Sequence, residues 1–170
     1  MNTITKEFII KLTYNEWERA VSLCQAYDLN PAHNLNGVVV DKLSCLGKAN
    51  IKGEVIITSD FIGIDDFQLL IDIVRHEIAH LIAGIEEGHN AYWKSVCDII
   101  GCEPKAQGGA SEAMLEKAFK YRLIAVLRDG GEVVVDYKNR RSKKFLEPDE
   151  RREYSINGKV ISSFYYEETA

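Results

Sequence analysis

The sequence predicts a mixed α+β protein in which a largely helical domain is followed by a small antiparallel β module. Over the first 120 residues, most apolar side chains recur at helical spacing, with two short strand-like runs at 37–40 and 54–58. The last fifty residues contain two pairs of strand-like runs, joined by Arg128-Asp-Gly-Gly131 and by Asn157-Gly158. Both joins are typical of hairpin turns. We therefore expect a domain over 1–120 and a β module over 121–170.

The first helix is predicted from a capping box. Thr13 and Glu16 have the spacing at which each side chain can bond the other's backbone amide, so the helix is expected to begin at Thr13. Apolar residues then recur at helical spacing and predict a buried stripe, which comprises Trp17, Ala20, Val21, Cys24 and Tyr27. Asn30-Pro31 is expected to end this helix.

The central helix is predicted from about Asp65 to Ala83. It is apolar on nearly all sides, which is typical of a buried helix. Two aspartates favour its N-terminal dipole, and Gly84 is its expected C-cap. Another helix is expected from Asn90 to Ile100, closed by Gly101, and a short one from Ser111 to Lys120.

Composition favours a folded protein without a membrane span. Of the 170 residues 46% are hydrophobic, yet no apolar stretch approaches the ~20 residues that a spanning helix needs. The N-terminus lacks the apolar region of a signal peptide, so we expect a cytoplasmic protein with no membrane partner. The four cysteines include no C-x-x-C pair and are expected to be small buried thiols: Cys24, Cys45, Cys97 and Cys102.

The charge is unevenly distributed along the chain. The formal net charge of −5 disfavours nucleic acid as a partner. Residues 117–152 are nevertheless basic, and a cluster of five cations is formed by Lys138, Arg140, Arg141, Lys143 and Lys144. Such a run is usually a solvated loop or strand edge. The functional alternative is contact with phosphates, which makes these five residues candidates for nucleic-acid binding.

A metal-binding motif lies inside the central helix. His76-Glu77-Ile78-Ala79-His80 has the form H-E-x-x-H, and histidines four residues apart on a helix project from one face. Both imidazoles can then reach one metal ion, while Glu77 can act on a water molecule without being a ligand. Polar groups in a buried helix are costly unless they are paired or bind metal. The alternative is that both histidines only form hydrogen bonds in the core.

A catalytic zinc ion would need a third protein ligand, for which His89 is the first candidate. If the helix ends at Gly84, a short turn through Gly88 would direct His89 back toward the motif. Acidic residues farther along the chain are the alternatives: Glu103, Glu112 and Glu116. The remaining histidine, His33, lies in a polar loop and is expected at the surface. Trp93 is expected to be a core residue.

These motifs together resemble the SprT-like metallopeptidase family, which includes the Spartan proteases. The resemblance rests on His76-Glu-Ile-Ala-His80, on Gly88-His89-Asn-Ala-Tyr-Trp93-Lys94 and on Gly101-Cys-Glu-Pro104. Upstream, Leu46-Gly47 and Val55-Ile-Ile-Thr-Ser59 are similar to the stretch that precedes the family's zinc helix. The similarity covers roughly residues 36–104. Unlike many members, the chain has no paired cysteines after Cys102 that could form a C-terminal zinc ribbon.

The resemblance implies a zincin-like fold and a zinc ion bound by His76, His80 and His89. It also implies that Glu77 is the general base and that the substrates are proteins bound or crosslinked to DNA. We therefore expect a zinc metallopeptidase with a protein substrate and, as a further partner, single-stranded or junction DNA. Two alternatives remain: a zinc protease with a specific protein target and no role at DNA, and a non-enzymatic binding module that contains zinc.

Overall fold

The computed structural model describes residues 3–104, 109–148 and 151–169, and the chain divides into two compact units, Met1–Ser111 and Glu112–Ala170. Both contain helices and a small sheet, so the mixed α+β class predicted from the sequence is confirmed. Among the described residues, no helix is long and apolar enough to cross a membrane.

The first unit combines three helices with a three-stranded sheet. The elements in chain order are α1 (Lys6–Gln25), β1 (Gly37–Asp41), β2 (Gly47–Ala49), β3 (Glu54–Thr58), α2 (Phe67–Ala83) and α3 (Ala91–Ile100). The sheet order is β1-β3-β2, with β1 parallel to β3 and β2 antiparallel to it. The short strand β2 is therefore an edge strand of this sheet.

Helix α2 is the central element of this unit. It contacts α1, α3, β2 and β3, and Leu70, Val74, Ile78 and Leu81 are all completely buried. The expectation that this helix is buried is therefore confirmed. Apolar residues of α3 complete the core: Trp93, Val96, Cys97 and Ile100.

Local capping groups explain where α2 and α3 begin and end. The Asp66 side chain accepts a hydrogen bond from the Leu69 amide at 3.2 Å, and the Gly84 amide donates to the His80 carbonyl at 3.0 Å. Asn90 caps α3 by accepting from the Trp93 amide at 3.0 Å. Gly101 ends α3 in the left-handed region, at φ 70°, which glycine adopts without strain. The predicted ends of both helices thus agree closely with the structure.

The predicted start of α1 is wrong. The helix begins about two turns earlier than expected, because the Thr5 hydroxyl accepts a hydrogen bond from the Phe8 amide at 3.1 Å and so provides the cap. Thr13 is buried inside the helix and donates to the Ile9 carbonyl at 2.9 Å. The helix also ends at Gln25, so Tyr27 lies beyond it and is 67% exposed rather than buried.

The second unit contains α4 (Glu112–Ala118), β4 (Tyr121–Leu127), β5 (Glu132–Lys138), α5 (Lys143–Leu146), β6 (Ser155–Ile156) and β7 (Lys159–Glu168). Its strands follow the order β5-β4-β7-β6, with antiparallel pairing throughout. Both predicted hairpins are present, and Asn157 and Gly158 have φ values of 51° and 77°, as a type I′ turn requires. The short helix α5 was not expected from the sequence.

The cysteines correct one expectation. All four are free thiols, and Cys24, Cys97 and Cys102 are buried as predicted. Cys45 is exposed instead. It lies in the irregular segment before β2, in a run of bends from Ser44 to Leu46.

Candidate metal centre

The three histidines of the predicted site come from two consecutive parts of the chain. His76 and His80 project from one face of α2, one turn apart. After Gly84 the chain passes through a short 3-10 turn, Ile85–Glu87, and through Gly88, whose φ of 56° and ψ of −125° lie in a region that favours glycine. This reversal brings His89 back toward α2 immediately before α3 begins.

The ring nitrogens of these histidines converge. His89 Nε2 lies 3.1 Å from His76 Nε2 and 3.2 Å from His80 Nε2. In the described part of the chain, these three residues form the group of possible metal ligands, and all their ligating atoms lie within 4.8 Å of one another. The cluster could therefore hold one metal ion. Two of the alternative acidic ligands have partners elsewhere: Glu112 contacts Tyr137, and Glu116 contacts Arg122.

Burial favours the protonation state that metal ligation needs. Burial lowers the pKa of His76 to about 4, assisted by the neighbouring charge of His89. Burial also lowers the pKa of His80 to about 4, with further contributions from His76 and His89. Both imidazoles are therefore neutral near pH 7. A neutral imidazole presents a lone pair, so these two residues need not lose a proton to bind a metal.

Trp93 packs against all three rings of the histidine cluster. It lies one turn into α3 and is completely buried. The centroid of its indole lies 4.6 Å from the His89 ring, 4.9 Å from the His76 ring and 5.2 Å from the His80 ring, on which it stacks at 28°. The expected packing role of Trp93 therefore extends to the site, because the indole restricts the orientation of each imidazole.

Glu77 lies next to the cluster but faces the edge strand. It is only 6% exposed, and burial raises the pKa of its carboxyl to about 7, although a hydrogen bond from the Ala49 backbone opposes that rise. Gly47 of the same strand lies directly against Glu77, where a β-carbon would be 2.9 Å from its Oε1 atom. A carboxyl with a pKa near neutrality can both accept and release a proton under ordinary conditions.

The chain around His89 is held by its own polar contacts. Asn90, besides capping α3, donates from its side chain to the Glu87 carboxylate.

His33 is not part of the cluster; its Nε2 atom lies 3.9 Å from the Glu86 carboxylate, and its side chain is 25% exposed. The expected surface position of His33 is thus only partly correct: its side chain is half-buried, and its backbone amide donates a hydrogen bond to the Leu81 carbonyl.

The five basic residues predicted to contact nucleic acid lie in and after β5. The ammonium group of Lys138 pairs with Asp136, at 2.5 Å. The guanidinium of Arg141 lies 3.7 Å from Glu168 and 4.7 Å from the centre of the Tyr121 ring. Arg140, Lys143 and Lys144 are exposed and form no ion pair with a described carboxylate. Their positive charge is therefore available to a ligand.

The contribution of strand β2 to the site was not predicted from the sequence. Gly47 and Ala49 contact Glu77, yet three residues are too few for a recognisable strand pattern. The only signal was the Leu46-Gly47 pair in the resemblance to the SprT-like family.

Fold and site together define a mixed α+β protein with a three-histidine cluster that could bind a metal ion. The chain matches no protein-family model, and neither a curated protein nor a solved structure matches it.

Proposed function

We propose that the chain is a zinc-dependent peptidase whose first unit is a zincin-like catalytic domain. The observation that carries the proposal is the convergence of His76, His80 and His89 on one point. The carboxyl of Glu77 lies beside them, on the helix that also contains His76 and His80. Zinc would be held by the three histidines. The resemblance to SprT-like metallopeptidases supports the same ligands and the same base.

The spacing of the nitrogen atoms fits zinc. Ligands at ~2.0–2.1 Å from a tetrahedral zinc ion lie roughly 3.3 Å from one another. The Nε2 separations to His89, 3.1 Å and 3.2 Å, are close to this value. Three protein ligands are typical of catalytic zinc sites, whereas structural sites usually have four. The number of histidines therefore supports a catalytic role.

Glu77 would carry the proton during hydrolysis. A bound zinc ion would polarise the peptide carbonyl and make an attacking water molecule more acidic. The Glu77 carboxylate would accept a proton from that water and then deliver it to the departing amine. The hydrogen bond from Ala49 and the contact with Gly47 hold the carboxylate in one orientation. A purely structural zinc site has no use for such a base.

We further propose that the substrates are proteins bound or crosslinked to DNA. This part rests on the resemblance and on the exposed cations Arg140, Lys143 and Lys144, which could contact phosphates. A specific protein target without DNA is the second candidate, and the net charge of −5 favours it. The two candidates differ in whether DNA stimulates cleavage.

The test is an incubation of the zinc-loaded protein with a basic DNA-binding protein, with and without single-stranded DNA. Cleavage products are followed on a gel, and the Glu77→Gln variant is the matched control because it replaces one oxygen of the base with an amide nitrogen. DNA-stimulated cleavage that is lost in the variant would support both parts of the proposal. Cleavage that is indifferent to DNA would favour the second candidate. No cleavage despite bound zinc would favour a binding module.

A further inference from the structure

A cavity of about 460 Å³ opens beside the histidine cluster, within the first unit. One wall is helix α2, from which Ile73, His76 and Glu77 line the cavity. These positions are three and four residues apart and so share one face of the helix. The opposite wall is the segment Leu43–Gly47, which leads into β2. The candidate base and one candidate ligand therefore form part of the cavity wall.

The lining of the cavity is partly apolar and partly polar. Leu43, Leu46 and Ile73 contribute aliphatic side chains. The only carboxylate besides Glu77 among the described lining residues is Asp60, whose charge is compensated by an ion pair with Lys42. In such a pocket the three aliphatic side chains favour an apolar ligand group, while the polar residues fix its orientation.

We propose that this cavity is the specificity pocket of the peptidase and holds a bulky aliphatic side chain, such as leucine or methionine, next to the scissile bond. The inference rests on the proposed function, because it places the substrate carbonyl within reach of Glu77. The side chain adjoining that carbonyl then has the cavity directly beside it. Removing one methylene from this side chain should reduce kcat/KM by about 10- to 200-fold, as in other apolar pockets.

Cys45 allows a chemical label to be attached inside the pocket. It lines the cavity and is exposed, and its thiol lies 3.2 Å from the Gly47 carbonyl. The other three cysteines are buried. A thiol reagent should therefore modify Cys45 first, and a benzyl group attached there would occupy the space that we assign to the substrate side chain. A methylthio group would leave most of that space open.

The first test is cleavage of a peptide mixture by the zinc-loaded protein, with the products sequenced by mass spectrometry. Leucine and methionine should be enriched at one position next to the cleaved bond. Benzyl labelling of Cys45 should then lower kcat/KM at least ~10-fold for a leucine peptide, and much less for its alanine counterpart. Methylthio labelling should have a small effect. In Cys45→Ser, treatment with the same reagent should not alter the kcat/KM values that this variant has before treatment.

A second variant fills the pocket without a label. Leu43→Trp should reduce cleavage of the leucine peptide selectively, whereas Ile51→Trp adds similar bulk at a residue that is 72% exposed and outside the cavity. Equal zinc content in both variants shows that the fold and the metal site are intact.

Cleavage without any side-chain preference, or an equal decrease for leucine and alanine peptides, would overturn the specificity pocket and leave the peptidase intact. Absence of cleavage for every peptide, with zinc bound to the unlabelled protein, would overturn the proposed function and the pocket with it.

Discussion

Gly47 and Glu77 lie so close together that a β-carbon on Gly47 would be 2.9 Å from the carboxylate oxygen of Glu77. The same β-carbon would lie 2.8 Å from a methyl group of Ile73, which is tighter than real side chains tolerate. Ala49, two residues farther along β2, also bonds the Glu77 carboxyl through its backbone. The position of the candidate base is therefore determined by an edge strand as well as by its own helix.

Gly47→Ala should displace Glu77 and reduce kcat/KM by roughly 100-fold, because a shift of about 1 Å in a catalytic group costs that much. Zinc content should remain at the wild-type level, since the atoms closest to a β-carbon at Gly47 belong to Ile73 and Glu77 rather than to a histidine. Peptide cleavage and metal analysis of the same preparation measure both effects. Gly37→Ala is the matched control in the same sheet, where the added β-carbon meets only ordinary contact at 3.9 Å. Wild-type activity in Gly47→Ala would show that the base tolerates displacement.

Metal removal should lower the thermal stability of the protein. A ligand that binds only the folded state stabilises it by about 2.7 kcal/mol when present at 100 times its Kd. We expect zinc to raise Tm and a chelator to reverse the rise, as measured by differential scanning calorimetry. His89→Ala should abolish the rise, because it removes one of three converging ligands. His33→Ala is the control, since His33 lies outside the cluster. A zinc-dependent rise of full size in His89→Ala would contradict this ligand set.

Trp93 should report directly on metal binding. Its ring lies within 5.2 Å of all three imidazole centres, so a paramagnetic ion such as Co²⁺ in the cluster should quench its fluorescence. The chain contains two tryptophans, which allows a matched pair of variants. In Trp17→Phe the remaining emission comes from Trp93 and should fall on addition of one equivalent of Co²⁺. In Trp93→Phe the emission of Trp17 should change little. Equal quenching in both variants would show that the ion binds elsewhere.

Glu16 should make the stability of the first unit depend on acid pH. Burial would raise the pKa of this carboxyl, but hydrogen bonds from Arg75 and Arg19 outweigh it and hold the pKa below its ordinary value of 4.5. A pKa depressed in the folded state adds stability above the unfolded value, and that stability is lost as the pH falls through the folded value. The contribution should therefore be complete at pH 7 and decline below about pH 4.5.

Chemical denaturation of metal-free protein between about pH 3 and pH 7 tests this dependence. Glu16→Gln should be less stable than the wild type at pH 7, and the difference should shrink in acid. Glu18→Gln, at an exposed residue of the same helix, is the control and should follow the wild-type curve. A stability difference that does not change with pH would indicate a packing effect rather than loss of the ion pair.

Elements with strong local signals could be predicted from the sequence. The ends of α2 and α3 depend on capping residues within one turn, namely Asp66, Gly84, Asn90 and Gly101, so short-range rules suffice. The Asn157-Gly158 hairpin is equally local. The juxtaposition of His89 with the H-E-x-x-H motif was also predictable, because only a short turn with two glycines separates them.

Features that depend on distant parts of the chain could not be predicted. Strand β2 has three residues and exists because it pairs with β3 and rests on Glu77. The predicted start of α1 was wrong because the sequence offers two acceptable N-caps, Thr5 and Thr13. In the structure Thr5 is the cap, and Thr13 lies inside the helix and donates to the Ile9 carbonyl. The exposure of Cys45 depends likewise on the irregular path of the chain before β2.

The most direct test of the proposed zinc peptidase is the initial rate of peptide cleavage as zinc is added stepwise to metal-free protein. The rate should rise linearly and level off at one zinc ion per chain, and Glu77→Gln should bind the same single ion without cleaving. If the wild-type protein binds one zinc ion and does not cleave, or if Glu77→Gln cleaves at the wild-type rate, the proposed function is wrong.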